Sequence, residues 1–404
     1  MKRYEEALED FNKAIHKVDA DENYFHCKGM AYEEMRDIQM AIKMFKQALT
    51  INEEFTPSLF HLGLMYHANN QLFESKKCFT KVLKIRSDRR VFESRGLVYQ
   101  DLLYYDLAVE DFTAAIHCEP NYPLNYFYRG RSFLWLGRYK EAIDDFNEAF
   151  KLGCEDAQVY HARAQAYKLM NSHELAINDL EVAIKMEGSN VEYLFSRSQC
   201  HFDLKEYQKA ADDLDDAIKI EAGEAKLYYL RGLALYEMKQ FKKAVKNLKK
   251  ALKLKPTASF AHDWYVMSSF SHSNPFSYYH IGVSYCNIQR HESAVAAFTK
   301  SIELNKEGDI PMYYHERAKT LQHLTQYQQA LSDFTKVIKA QPMNAHAYFR
   351  RAFAYKALGM FDEAAEDFEK ARNLQPENPS LVVNYKKIFD VAYIELCSCG
   401  EEPM

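Results

Sequence analysis

The chain has 404 residues and a formal net charge of −5 at pH 7, so it lacks the basic excess that phosphate neutralisation requires of a nucleic-acid binder. Its eight cysteines include no Cys-x-x-Cys pair, which disfavours a zinc site and a secreted disulfide framework, and no apolar run reaches membrane-spanning length. We therefore expect a soluble cytoplasmic protein that binds no nucleic acid, membrane, metal or cofactor.

The strongest pattern in the chain is a triplet of small, bulky and small residues that returns about every 34 residues. It first appears in full as Ala41, Phe45 and Ala48, and these spacings of four and three residues place the triplet on one helix face. A second helical signature begins about twenty residues before each triplet and carries a small residue such as Gly29 or Gly63. The pattern predicts two helices in each repeat, with small residues where the helices cross.

This arrangement resembles the tetratricopeptide repeat family, whose unit is a helix–turn–helix of 34 residues. The resemblance implies an all-α, right-handed superhelical solenoid whose first helices line the concave surface. It also implies a scaffold that binds a protein or peptide partner and has no enzymatic activity of its own. The predicted repeats begin at Glu22, Thr56, Arg89, Pro123, Ala157, Val191, Ala225, Pro275, Pro311 and Ala345.

In chain order the pattern divides the sequence into six segments. The array begins with an unpartnered second helix, so we expect a fragment, a short isoform or an incomplete gene model of a longer protein; the alternative is a natural end that frays. The inserted segment is predicted to be an extra helix or kink that separates two sub-arrays. The segments are a half repeat (1–21), repeats 1 to 7 (22–257), the insert (258–274), repeats 8 to 10 (275–378), a capping helix (379–397) and a disordered tail (398–404).

The residue types that often mark active sites are accounted for by the repeat. Glycines fall at helix crossings, in turns, between repeats or in the tail, and none remains for a phosphate-binding loop. Histidines occur singly on different repeats, without a nucleophile in a recognisable motif. We therefore predict no catalytic residue and no small-molecule substrate.

Two charged positions vary together within a repeat. The residue before the crossing position is arginine in seven repeats, and the residue before the bulky second-helix position is then aspartate or, once, asparagine. Repeats without the arginine have methionine, cysteine or alanine there. This covariation predicts a charge-assisted contact between the paired helices of one repeat. The predicted pairs are Arg95–Asp111, Arg129–Asp145, Arg163–Asp179, Arg197–Asp213, Arg317–Asp333 and Arg351–Asp367.

The resemblance implies a partner-binding stripe at the second, fifth, ninth and twelfth residues of each repeat. Six of the ten residues at the fifth position are aromatic, which favours an apolar groove for an extended or helical segment. The alternative is that these rings only pack between neighbouring first helices. Polar residues at the ninth position would add specificity. The predicted groove residues are Phe60, Phe127, Arg131, His161, Gln165, Phe195, Gln199, Tyr229, Tyr279 and Phe349.

Two other functions stay open at this point. One is a targeting or substrate-recruiting arm of a larger enzyme whose active domain is absent from this chain. A co-chaperone adaptor is disfavoured, because no repeat has the lysine at the fifth and the asparagine at the ninth position that clamp a terminal carboxylate in chaperone-binding members. The C-terminal repeats, around Tyr348–Gly359, resemble those of long vertebrate members of the family, which implies a role in cilium-related assembly.

One stretch departs from the even charge distribution of the repeats. Lys239–Lys255 carries eight lysines and no acidic residue, next to an acidic second helix that contains Asp212, Asp213, Asp215 and Asp216. A solvated charged face is the simplest interpretation. The alternatives are attraction between the two neighbouring repeats and docking of an acidic partner.

Overall fold

The computed structural model of this protein describes residues 21–254, 273–305 and 310–376. Within these ranges the chain forms twenty α-helices and no strand. The helices belong to two compact units, Met1–Gly188 and Ser189–Met404, each with five described helix pairs. The all-α repeat fold predicted from the sequence is confirmed.

In the first unit, each repeat consists of a first helix of 13 residues, a short turn and a second helix of 13 or 14 residues. Apolar residues at helical spacing pack the two helices against each other, and each second helix that is followed by another repeat of this unit also contacts the first helix of that repeat. The pairs are α1 (Glu22–Glu34) with α2 (Ile38–Ile51), α3 (Thr56–Ala68) with α4 (Leu72–Ile85), α5 (Arg89–Asp101) with α6 (Tyr105–Cys118), α7 (Pro123–Trp135) with α8 (Tyr139–Lys151), and α9 (Ala157–Leu169) with α10 (His173–Met186).

The second unit repeats the same construction. Its pairs are α11 (Val191–Asp203) with α12 (Tyr207–Ile220), α13 (Ala225–Glu237) with α14 (Phe241–Leu254), α15 (Ser273–Asn287) with α16 (His291–Leu304), α17 (Pro311–His323) with α18 (Tyr327–Ala340), and α19 (Ala345–Ala357) with α20 (Phe361–Leu374).

The predicted half repeat, insert, capping helix and tail lie outside the described residues, apart from Asp21 and residues 273–274. The extra helix or kink expected at the insert therefore stays a prediction, while the two compact units divide after Gly188, between repeats 5 and 6. Leu248 of repeat 7 and Phe298 of repeat 8 belong to one buried cluster. The array therefore continues across the insert, since the repeats on either side bury their apolar faces against each other.

The turn between paired helices has the same backbone geometry in every repeat. Its central residue has a positive φ, and the next residue closes the turn; Asp37, for example, donates its backbone N–H to the carbonyl of Tyr32 at 2.9 Å. Only two of these residues are glycine, so in eight repeats a residue with a side chain adopts the left-handed backbone conformation. The residues are Arg36, Asn70, Leu103, Gly137, Asn171, Lys205, Lys239, Gln289, Thr325 and Gly359.

Small residues close the crossing of the paired helices, as the pattern predicts. Ala142 and Phe146 of α8 are fully buried. A Cβ atom on Gly130 of α7 would lie 2.7 Å from Cε1 of Phe146, so no larger side chain fits without movement. The bulky residue of the same repeat stands 2.6–2.8 Å from the Cβ position at Gly29, Gly63, Gly96, Gly232 and Gly282.

Candidate functional site

The first helices form one layer in each unit, which we call the first-helix layer. Helices α1, α3, α5, α7 and α9 contact one another in order in the first unit, and α11, α13, α15, α17 and α19 do so in the second. All ten predicted groove residues lie on these helices, at the fifth or ninth residue of a repeat. Each unit therefore presents a continuous surface built from equivalent helices.

The aromatic side chains at the fifth position pack inward against the bulky residue of their own repeat. The ring centroids of Phe60 and Phe79 are 5.8 Å apart, and those of Phe127 and Phe146 are 6.2 Å apart. The same contact joins Tyr279 to Phe298, His315 to Phe334 and Phe349 to Phe368. These rings contribute to the core of their own helix pair, which differs from the alternative that they only pack between neighbouring first helices.

Burial divides the predicted groove residues into two groups. Phe127, Phe195 and Gln199 are 6%, 5% and 4% exposed, so they present almost no surface to a partner, and the prediction is corrected for these three. Sequence periodicity predicts which helix face a residue occupies, but it does not predict how far the side chain at the fifth position is buried between the two helices. The groove residues that stay partly exposed are Phe60, Arg131, His161, Gln165, Tyr229, Tyr279 and Phe349.

The arginines before the crossing positions bind aspartates of the same repeat. Nε of Arg95 donates to Oδ2 of Asp111 at 2.8 Å, and Nη2 donates to Oδ1 at 2.6 Å. Burial raises the pKa of the Asp111 carboxyl, while hydrogen bonds from the guanidinium oppose that rise. The same two-point contact joins Arg129 to Asp145, Arg163 to Asp179, Arg197 to Asp213, Arg317 to Asp333 and Arg351 to Asp367.

A third contact of these arginines was missed by the sequence analysis. Nη1 of Arg95 donates to Oγ1 of Thr80 in the preceding repeat at 3.2 Å. Each such acceptor lies two residues after the aspartate position of its own repeat. A polar residue at this constant offset is the sequence signal that could have predicted the contact. The equivalent contacts are Arg129 with Thr113, Arg163 with Asn147, Arg317 with Thr299 and Arg351 with Thr335. The guanidinium thus ties a helix pair to the repeat before it.

Repeat 7 shows what happens where the aspartate is absent. Arg231 donates to Oδ1 of Asn247 at 3.4 Å, which is a long and weak contact. The guanidinium instead forms an ion pair with Asp215 of the preceding repeat. Its Nε is buried without a hydrogen-bond partner among the described residues. An amide therefore does not replace the two-point acceptor that a carboxylate provides.

A cavity of about 320 Å³ lies between repeats 9 and 10. It is formed at the start of α17, the end of α18 and the start of α19. None of the ten predicted groove residues lines it, although His315 and Met312 stand at the fifth and second positions of repeat 9. The lining residues are Pro311, Met312, His315, Glu316, Val337, Gln341, Asn344 and His346.

Two histidines face each other in this cavity. Nε2 of His315 and Nδ1 of His346 are 3.3 Å apart, so one imidazole donates to the other. Burial lowers the pKa of His315 to about 4 and also lowers that of His346, so both rings are neutral at pH 7. Nδ1 of His315 is buried without a partner among the described residues. The hydrogen-bonding capacity of this buried nitrogen is therefore not used by the described residues.

Two kinds of site are not found in the part of the chain that the structure describes. In those residues, no three His, Cys, Asp or Glu side chains come together in a way that could hold a metal ion. Nor does any helix in the same ranges have both the length and the apolar character needed to cross a bilayer.

Sequence-family models agree with this architecture. Four models, each described as a tetratricopeptide repeat, match residues 24–55, 56–89, 161–226, 225–258, 277–307 and 345–378, which together exceed half of the sequence. The chain belongs to the tetratricopeptide repeat family. Such repeats stack into open arrays that generally serve protein interaction.

Individual tetratricopeptide repeat proteins match parts of this chain. Mitochondrial import receptor subunit TOM70 of Rattus norvegicus and that of Homo sapiens are each 30% identical to it over 80 residues, which is 19% of this chain and 13% of the receptor. A solved structure, the C-terminal part of a repeat protein from Cytophaga hutchinsonii, has a TM-score of 0.50 at 18% identity and covers 62% of this chain and 96% of its own. This likeness shows the fold.

Proposed function

We propose that this tetratricopeptide repeat protein is a non-enzymatic scaffold that binds an extended or helical segment of a partner protein on its first-helix layer. The observation that carries the proposal is the cavity between repeats 9 and 10, which opens at the ends of first helices. A concave site with apolar walls and a few polar groups is the usual form of a binding pocket. One side chain of the partner segment enters there.

The walls of the cavity define the chemistry of that side chain. Met312 and Val337 contact an apolar stem, while His315 and Glu316 provide polar partners for the end of the side chain. Nδ1 of His315 has no partner within the described residues, so a polar group of the bound segment that reaches this nitrogen would supply a hydrogen-bond partner to a buried unsatisfied group. A long side chain with an apolar stem and a polar end fits these walls.

Photo-crosslinking in cell extract locates the surface that a partner touches. A photoreactive amino acid replaces Met312 or His346, which border the cavity, or replaces Gln328 or Ser332, which are exposed on α18 of the same repeat. We expect discrete protein adducts from the first pair of positions and none from the second pair. Equal adducts from both pairs would contradict binding on the first-helix layer.

A charge substitution then tests the cavity itself. Met312→Asp combined with His346→Asp replaces an apolar wall and an imidazole by carboxylates, and should weaken capture of the crosslinked partner by at least ~tenfold, because an apolar stem that enters would have to desolvate these charges. Gln328→Asp combined with Ser332→Asp makes a comparable charge change on α18 and should leave capture unchanged. Unchanged capture by the cavity variant would refute the proposed pocket.

The remaining functional predictions are more specific than the repeat fold can test. A cytoplasmic location, a role in cilium-related assembly and the arm-of-an-enzyme alternative stay predictions. The co-chaperone alternative still lacks the lysine and asparagine pair of a carboxylate clamp in any repeat. Identification of the crosslinked partner would choose among them.

A further inference from the structure

Helix α14 presents a face of lysines that no other part of the described structure neutralises. Six lysines of this helix are exposed, and its sequence contains no acidic residue. The opposite face is buried through Ala244, Val245, Leu248 and Ala251. The exposed lysines are Lys242, Lys243, Lys246, Lys249, Lys250 and Lys253.

Several exposed lysines on other second helices pair with an acidic residue three positions away. Lys77 binds Glu74, Lys151 binds Glu148, Lys209 binds Glu206, Lys219 binds Asp216 and Lys300 binds Glu303. The lysines of α14 form no ion pair with any residue that the structure describes. Repulsion between like charges three and four residues apart destabilises a helix slightly, so this face is held by the buried side alone.

Attraction to the neighbouring acidic helix does not neutralise these lysines. On α12, Asp216 pairs with Lys219 of the same helix, and Asp215 pairs with Arg231 of α13. Asp212 accepts a hydrogen bond from Gln208. These acidic groups are thus satisfied without α14, which disagrees with the inter-repeat attraction considered from the sequence.

We propose that this lysine face binds a short acidic segment of a polypeptide, at a surface separate from the first-helix layer. Lys242, Lys246, Lys249 and Lys253 form one stripe, which is about 16 Å long at 1.5 Å of rise per residue. That length matches roughly five residues of extended chain at about 3.3 Å each. A run of glutamates or aspartates of this size therefore places several carboxylates against the stripe.

The form of the face favours a polypeptide over nucleic acid or a membrane. The face contains lysine and no arginine, whereas two-point phosphate recognition depends on arginine. Of the two tyrosines beside the face, Tyr285 is only 8% exposed, and Tyr228 is partly covered by Lys250, whose Nζ lies 5.7 Å from the ring centroid, so neither offers a fully open ring for base stacking. No large apolar side chain of α14 is exposed to enter a bilayer.

A peptide titration tests the proposal with the full chain. The probe is a short fluorescent polyglutamate peptide, titrated at about 0.1 M salt, where the Debye length is about 10 Å, and at about 1 M, where it is about 3 Å. We expect binding at the lower salt that disappears at the higher. Replacing the four stripe lysines by glutamine should weaken the binding at least ~tenfold.

A matched variant controls for net charge. Lys43→Gln, Lys140→Gln, Lys185→Gln and Lys339→Gln remove the same charge from exposed sites on four different second helices and should change the affinity by less than ~twofold. Circular dichroism checks that both variants keep their helices. No peptide binding at low salt, or equal losses in both variants, would overturn the proposal. Stripe-dependent binding of a single-stranded oligonucleotide or of phosphatidylserine vesicles that exceeds peptide binding would overturn the choice of polypeptide.

Discussion

Single arginines join three structural parts at once in this array. Arg129 binds Asp145 on the paired helix and Thr113 in the preceding repeat. The pairing with aspartate was readable from the sequence, because the two positions change together. The threonine contact was not, since its acceptor lies in another repeat and is asparagine in one case. Pairwise patterns within a repeat therefore revealed the pair but not the bridge.

The pair Arg129–Asp145 is predicted to be energetically coupled. Replacing both residues singly and together, as Arg129→Met and Asp145→Asn, should give a coupling energy of about 1–3 kcal/mol in urea unfolding, because Asp145 is buried and bound at two points. The exposed pair Arg138 and Glu141, treated identically, should show no resolvable coupling. Similar coupling energies for the two pairs would show that the buried ion pair contributes no more to stability than the exposed one.

Burial of His280 predicts a pH-dependent stability of the second unit. The ring lies among Tyr236, Phe276 and Tyr279, and burial lowers its pKa to about 4. Between pH ~6.5 and ~4 the imidazole is therefore protonated in the unfolded chain and neutral in the folded chain. The stabilisation is fully present above this window, and the free energy of unfolding falls by up to ~1.4 kcal/mol per pH unit as the pH drops through it.

Unfolding measured from pH 7 to pH 4 checks this expectation. His280→Phe should remove the share of the decline that comes from this ring and leave the share of His315, whose pKa burial also lowers to about 4, whereas His117→Gln, at an exposed site, should leave the decline unchanged. A decline that is equally steep in His280→Phe would assign the acid sensitivity to other groups.

Among the structural elements, the turn within each repeat has a backbone conformation that the sequence predicts in only some of the repeats. Gly137 and Gly359 fit this position, because glycine tolerates a positive φ. Leu103 and Thr325 adopt the same conformation without any local preference for it. Packing of the two helices imposes the turn, so tertiary contacts override the residue's own tendency.

Relieving this strain should stabilise the protein. Thr325→Gly is expected to raise the free energy of unfolding by about 1 kcal/mol, since a β-branched residue in the left-handed region is costly. The reverse change at the equivalent site, Gly359→Ala, should lower it by a similar amount. Thermal unfolding of both variants compares them, and a loss of stability in Thr325→Gly would show that the turn is unstrained.

Across the whole molecule, the features that could be predicted from the sequence are those that recur with the repeat of about 34 residues. The positions of small and bulky residues revealed the helix pairs, because each repeat buries the same face on its neighbours. The division after Gly188 was not readable, since the period passes through it unchanged. Nor was the cavity between repeats 9 and 10, which depends on the shapes of several side chains and not on a repeated position.

If small residues at the helix crossings hold the repeats together, then among the glycines without a positive φ, alanine should be harmful only at the crossings. Gly63→Ala, Gly130→Ala and Gly282→Ala each drive a methyl group into a buried phenylalanine and should each lower the free energy of unfolding by about 1–3 kcal/mol. Gly188→Ala and Gly223→Ala meet no atom closer than 3.5 Å and should stay within ~0.5 kcal/mol of the wild type. Urea unfolding of these five variants is the measurement. Losses confined to the three crossing sites are predicted, and equal effects at all five sites would contradict the helix-pair construction.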